Sequence, residues 1–191
     1  VYVISIDDEQ HRALGLGALA QLTKPVDQAA LAGAFDRLSN FVDRPVKNLL
    51  VVEDDAEQRK AIVELMGNGD VHTTAVTTGA EALTELSRET IDCVVIDLGL
   101  PDMTGFELIE QIKKQVHGPP VPIIVYTGRD LSKRDEARLR KLAETIILKD
   151  VKAPERLFDE TALFLHRVEA NLPDTMKTMV RDNQDSVLQG K

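Results

Sequence analysis

The sequence predicts an α/β chain: a doubly wound, five-stranded parallel sheet with strand order 2-1-3-4-5, preceded by a partial α/β half-domain. Three observations predict it. From residue 46 to residue 170, apolar runs of strand length alternate five times with helical patterns across short joints. The central run, Cys93 to Ile96, is wholly apolar and mostly β-branched, as suits a strand covered on both faces. In residues 1–45 the same alternation occurs only twice.

In the first block, Val1 to Ser5 is a strand ending at a hydroxyl, Asp7 to Leu16 a weak helix, and Ala18 to Leu22 a second strand running into Thr23-Lys24-Pro25. Asp27 caps a helix to about Phe41, with Leu31, Ala34, Phe35, Leu38 and Val42 at helical spacing. Asp43-Arg44-Pro45 is a break. In the second block, strand one is Asn48 to Val52 and helix one Ala56 to Met66, stopped by Gly67-Asn68-Gly69. Strand two is Val71 to Val76; helix two is Ala80 to Glu89, capped by Thr78. Strand three is Ile91 to Ile96 and helix three Phe106 to Val116. Strand four is Val121 to Tyr126, and a highly charged helix four runs from Ser132 to Ala143. Strand five is Thr145 to Leu148, and helix five runs from Pro154 to Ala170 with Pro154 in its first turn. Residues 171–191 form a polar tail. Gly67-Asn68-Gly69 ends a helix and follows no strand, so it is a turn, not a dinucleotide fingerprint.

Composition narrows the function. With 191 residues and 43% hydrophobic content, the chain can bury a core. A net charge of −9 offers no basic excess to neutralise phosphates, so no nucleic-acid partner is expected. No apolar run approaches the ~18 residues of a membrane span, so no membrane contact is expected. The one cysteine, Cys93, lies in an apolar strand and reads as a core residue; it fits a reducing, cytoplasmic compartment. His11, His72, His117 and His166 are scattered without ligand spacing. Val1 is not a natural start, so upstream sequence is expected.

Four strand ends of the second block carry polar groups: Glu53-Asp54-Asp55, Asp97, Thr127-Gly128 and Lys149. The strands of a parallel sheet point one way, so these groups converge on one edge, where open α/β sheets place their ligands. Carboxylates crowded there repel unless a cation is present. A hard divalent ion with oxygen ligands relieves this, and Mg²⁺ (or Mn²⁺) suits one or two carboxylates plus water. Asp54 and Asp97 would ligate directly, Glu53 through water, and the Gly99 carbonyl would complete the set. Asp55, directly before a helix, suits the helix cap better. Aspartate can act as a nucleophile toward phosphorus. Lys149 and the cation would then neutralise phosphoryl oxygens, and Thr127 would bind one of them.

These residues carry a resemblance. LLVVEDD with Glu53 and Asp54, VVIDLGLPDMTGFELI with Asp97, PIIVYTG with Thr127 and ILK with Lys149 resemble the receiver domain of two-component response regulators over about residues 46–170. The resemblance implies a flavodoxin-like fold and phosphoryl transfer from a phosphohistidine onto Asp97 with Mg²⁺. It implies a phosphorelay partner, a histidine kinase or phosphotransfer domain. It also implies a switching face made of helix four, strand five and helix five. Such a domain catalyses only its own phosphorylation and dephosphorylation. Residues 1–45 resemble the closing half of another receiver, with Ser5 as hydroxyl and Lys24-Pro25 as lysine motif. The tail, residues 171–191, resembles a lead-in to a further one. The expected parent is therefore a hybrid sensor histidine kinase with tandem receivers. A half-domain exposes apolar surface and a sheet edge. It is expected to pack on the second block or to form a homodimer through residues 1–45 or the switching face.

Two departures qualify the resemblance. Asp150 follows Lys149 where the family has proline, and Ile146 stands where an aromatic usually moves with the switch hydroxyl. They leave room for an alternative: a receiver-like module that binds a partner without phosphorylation. A phosphatase with an aspartyl nucleophile generally wants a second acid two residues on, where this chain has Gly99.

Overall fold

The computed structural model describes residues 2–5, 20–44, 46–67, 69–115 and 121–165. The elements are β1 (Tyr2–Ser5), β2 (Ala20–Thr23), α1 (Gln28–Asp43), β3 (Lys47–Val52), α2 (Ala56–Met66), β4 (Val71–Val76) and α3 (Gly79–Arg88). They continue with β5 (Cys93–Ile96), α4 (Gly105–Gln115), β6 (Ile123–Thr127), α5 (Lys133–Leu139), β7 (Thr145–Leu148) and α6 (Ala153–Leu165).

Five strands form one parallel sheet in the order β4-β3-β5-β6-β7, which is the predicted 2-1-3-4-5. Strand periodicity sends alternate residues to opposite faces. Leu49, Val51, Cys93, Val95, Ile124 and Tyr126 face α2 and α6, where Ile62, Met66, Leu157 and Phe158 cover them. Leu50, Val52, Val94, Ile96, Ile123 and Val125 face the opposite layer, with Ala82 of α3, Leu108 and Ile112 of α4, and Leu139 of α5. Covered on both sides, the central strands carry almost no polar residue until their C-terminal ends. Cys93 lies fully inside this core, and burial pushes its thiol far above the usual range.

Helix starts follow their caps. Asp55, Thr78 and Ser132 accept from Gln58, Glu81 and Asp135 N–H, and Asp27 accepts from Ala30. The charged helix is shorter than its pattern predicts. It ends at Leu139, because the N–H groups of Lys141 and Leu142 turn back to Arg138 and Leu139, closing a tighter turn. Strand β6 begins at Ile123 rather than Val121, two residues late: Pro122 brings no N–H to the ladder. β5 likewise begins at Cys93 rather than Ile91, because the Asp92 side chain turns back to accept from Asn48 N–H at 2.8 Å.

β1 and β2 form a separate two-stranded parallel sheet with Ser5 opposite Thr23. On α1, Ala34 is buried while Leu31 and Phe35 are exposed. Arg44, after α1, pairs with Asp92, and Lys47 Nζ donates to the Arg44 carbonyl at 2.6 Å. The helix expected over residues 7–16, the whole tail and the last turn of helix five lie outside the described residues. Among those described, no helix is long and apolar enough to cross a membrane.

Candidate functional site

The site forms where β3 and β5 end side by side. Val52 pairs with Ile96, and Asp97 N–H donates to the Val52 carbonyl at 2.9 Å. The next residues, Glu53-Asp54 and Asp97, therefore leave the sheet together. One oxygen from each of Glu53, Asp54 and Asp97 lies within 4.8 Å of the others. Glu53 is 2% exposed and Asp97 8%, so two of these charges are nearly shut off from water.

Lys149 enters from the end of β7. Its Nζ donates to Glu53 Oε2 at 2.8 Å and to Asp97 Oδ1 at 3.1 Å. Burial would pull the ammonium down, but hydrogen bonds and charge from Glu53 and Asp97 outweigh it and raise Lys149. Burial raises the Glu53 carboxyl, and pairing with Lys149 offsets this only in part. One ammonium is hydrogen-bonded to two of the three carboxylates, so the acidic groups outnumber the cation bonded to them. That donor set, hard oxygens in a compact cluster, fits Mg²⁺ or Mn²⁺.

The loop after Asp97 is shaped by glycine and anchored by Asp102. Gly99 N–H donates to Asp97 Oδ2 at 2.6 Å, and a Cβ at Gly99 would lie 2.9 Å from that same oxygen. Asp102 accepts from the Gly79 and Ala80 N–H groups at the start of α3, both at 2.9 Å. Met103 occupies the space a side chain at Gly79 would need.

The structure thus brings Glu53, Asp54, Asp97 and Lys149 into one cluster, with Gly99 bonded to Asp97. Thr127 is fully buried at the end of β6, and its hydroxyl accepts from Arg129 N–H at 3.2 Å. After Lys149, Asp150 closes the turn in proline's place: its side chain accepts from Lys152 N–H and its carbonyl from Ala153 N–H. Ile146 is half-buried on β7.

Several residues escaped the sequence. Arg59 Nη1 donates to the carbonyls of Glu53 and Asp54 at 3.0 and 3.1 Å, fixing the backbone of the acidic pair. Its place one turn beyond the Asp55 cap was a signal available in the sequence. Arg129 Nε lies 3.7 Å from where a Gly99 Cβ would sit, close above the cluster. The Tyr126 ring centroid lies 5.2 Å from Lys149 Nζ. No sequence pattern marks these last two.

Comparison with known proteins agrees with the architecture. The chain is 29% identical over 105 residues to the two-component response regulator ORR5 of Oryza sativa subsp. japonica, covering 54% of this chain and 78% of that one. It is 29% identical over 122 residues to the two-component response regulator ARR3 of Arabidopsis thaliana, covering 58% of this chain and 53% of that protein. The BeF3-activated N-terminal receiver domain of Klebsiella pneumoniae RstA superposes with a TM-score of 0.55 at 28% identity, covering 63% of this chain and 100% of that one. The receiver domain of a signal transduction histidine kinase from Syntrophus aciditrophicus superposes with a TM-score of 0.55 at 25% identity, covering 68% and 99%. Residues 49–161, more than half of the chain, match the response regulator receiver domain family, and the chain belongs to that family.

Proposed function

We propose that this receiver takes a phosphoryl group from a phosphohistidine onto Asp97 and reports it on the face formed by α5, β7 and α6. The observation that carries this reading is a nearly buried Asp97 carboxylate, 3.1 Å from Lys149 Nζ, inside a three-carboxylate cluster. An Asp97 oxygen attacks phosphorus as the P–N bond to the imidazole breaks. The nitrogen keeps the electron pair and the phosphoryl group stays on Asp97 as an acyl phosphate. The Gly99 N–H holds Asp97 Oδ2 and fixes the rotation of the carboxylate. The Lys149 ammonium, already at Asp97, offsets charge on the incoming oxygens. Glu53, Asp54, Asp97 and the Gly99 carbonyl would hold Mg²⁺ or Mn²⁺, which supplies positive charge for the transferring group. Thr127 would turn its hydroxyl from Arg129 N–H toward the phosphoryl group and carry that loop with it.

The donor is a histidine kinase or phosphotransfer domain, in the cytoplasm. Residues 1–45 act as the closing half of a preceding receiver-like domain, 46–170 as the receiver, and 171–191 as a linker. A shared register supports the repeat: Ser5 pairs with Thr23 just before Lys24, as Thr127 pairs with Leu148 just before Lys149. The parent is a hybrid sensor histidine kinase, and a homodimer would form through residues 1–45 or the α5–β7–α6 face.

Acetyl phosphate with Mg²⁺ tests the reading. Intact-mass measurement is expected to show one added phosphoryl group, lost in Asp97→Asn. No gain in wild type would favour a module that binds partners without phosphorylation, the reading that Ile146 and the Thr127–Arg129 bond suit.

A further inference from the structure

We infer that Tyr126 is a positioning residue: its ring forms the floor on which the Lys149 ammonium is aimed at Asp97. This role rests on the phosphoryl-accepting reading of Asp97.

The geometry follows from the β6–β7 ladder. Tyr126 pairs with Ile147, and Lys149 lies two residues further on. Residues related in this way share a face and sit diagonally, within reach of an aromatic and a long side chain. Gly128, two residues after Tyr126 and just past the end of β6, presents no side chain; a Cβ there would already lie 3.7 Å from Lys149 Cδ. The lysine stem therefore passes over Gly128, and its head comes to rest 5.2 Å from the Tyr126 ring centroid. That is within cation–π range. From there it reaches Glu53 and Asp97 together.

A lysine stem is flexible and its head is a point charge that takes many orientations. The two carboxylates attract it but do not fix its direction, because they lie on neighbouring strands. The ring supplies a third contact, from the same face of the sheet. Tyr126 itself is held in the core between β6 and the α2–α6 layer, so the floor is rigid. Its contact with the ammonium needs the ring, not the hydroxyl.

Three substitutions separate the aiming role from simple core filling. Tyr126→Phe keeps the ring, Tyr126→Leu removes it, and pentafluorophenylalanine at position 126 keeps the shape while reversing the ring's electrostatics. NMR of the Lys149 ε-methylene protons is expected to show a ring-current shift in wild type and Tyr126→Phe that vanishes in Tyr126→Leu. With Mg²⁺ saturating, beryllofluoride affinity and the rate with acetyl phosphate should fall about 5- to 10-fold in Tyr126→Leu and in the fluorinated variant. Tyr126→Phe should stay within about twofold of wild type. In a Lys149→Ala background, Tyr126→Leu should have no further effect. The fluorinated variant decides the matter if Tyr126→Leu fails to fold. Equal behaviour of all variants beside an active wild type overturns the positioning role alone. A wild type that takes neither beryllofluoride nor acetyl phosphate overturns the phosphoryl-accepting reading and this role with it.

Discussion

The Lys149 ammonium sits 2.8 Å from Glu53 Oε2, nearer to that carboxylate than to Asp97 Oδ1 at 3.1 Å. The lysine's closer partner is therefore Glu53 and not the proposed phosphoacceptor. Lys149 thus has a structural role that can be separated from the chemical one proposed for it. Lys149→Met should leave Glu53 buried without its cation and lower stability by about 3 kcal/mol, the low end for a broken buried pair. Urea unfolding in chelator measures it. The pH dependence has a defined sign. Lys149 is raised in the folded chain, so its contribution is complete below the unfolded lysine value of about 10.4. It is lost as pH rises through the folded value. The gap between wild type and Lys149→Met should therefore be constant from neutral pH to about 10 and close above it.

Asp102 offers the opposite sign. Its carboxylate accepts from the Gly79 and Ala80 N–H groups, and these bonds hold it below the usual aspartate value. The stabilisation is present above an unfolded value of about 3.9 and disappears as pH falls through the depressed one. Asp102→Ala should lower the melting temperature at neutral pH by about 2–4 °C, the size of one lost helix cap. The same comparison near pH 3 should show a smaller difference. Because Asp102 ties the loop carrying Gly99 to α3, the variant should also bind beryllofluoride more weakly.

The acidic pair, Asp97 and Lys149 were legible because each is a polar residue at the end of an apolar run, and parallel strands bring such ends together. Strand order was legible from five βα repeats alone. Asp102 and Tyr126 were not. Their roles depend on which helix start or strand face lies opposite them, and a linear pattern does not carry that. The end of α5 was misplaced for a different reason. Leu139, Leu142 and Ala143 fall at helical spacing and all face the same core layer, yet a turn after Leu139 reaches that layer just as well. The shape of the lysine turn also needed coordinates, since Asp150 replaces a ring constraint by hydrogen bonds to Lys152 and Ala153.

Two glycines should respond differently to alanine. A Cβ at Gly105 would lie 2.7 Å from Leu98 Cα and 2.9 Å from the Asp97 carbonyl oxygen, both backbone atoms that cannot swing away. Gly105→Ala should cost about 1–3 kcal/mol and, by shifting the Asp97 peptide, weaken beryllofluoride binding. Gly69 has open space around it but a φ of +79°, so Gly69→Ala pays a backbone penalty of about 1 kcal/mol. Gly69 lies in the turn before β4, at the far edge of the sheet from the cluster, so beryllofluoride affinity should be unchanged. Melting curves and beryllofluoride titrations on the two variants separate these effects.

The excess negative charge at the cluster gives the last prediction. Asp54 is the exposed member, and no hydrogen bond from Lys149 reaches it among the described residues. Its charge is therefore the least compensated, and it is the easiest to remove without disturbing the ion pair. If the cluster holds a divalent cation, Mg²⁺ should stabilise wild type by about 2.7 kcal/mol at a hundredfold excess over Kd. Asp54→Asn should raise stability slightly in chelator, because repulsion falls, and should gain much less from Mg²⁺. The crossing of the two trends is the informative result: a general salt effect would shift both proteins alike, and repeating the titration with matched NaCl controls for it. A wild type whose melting temperature ignores Mg²⁺ and Mn²⁺ would mean that Lys149 and the nearby Arg129, with solvent around Asp54, balance this acidic edge without a bound cation.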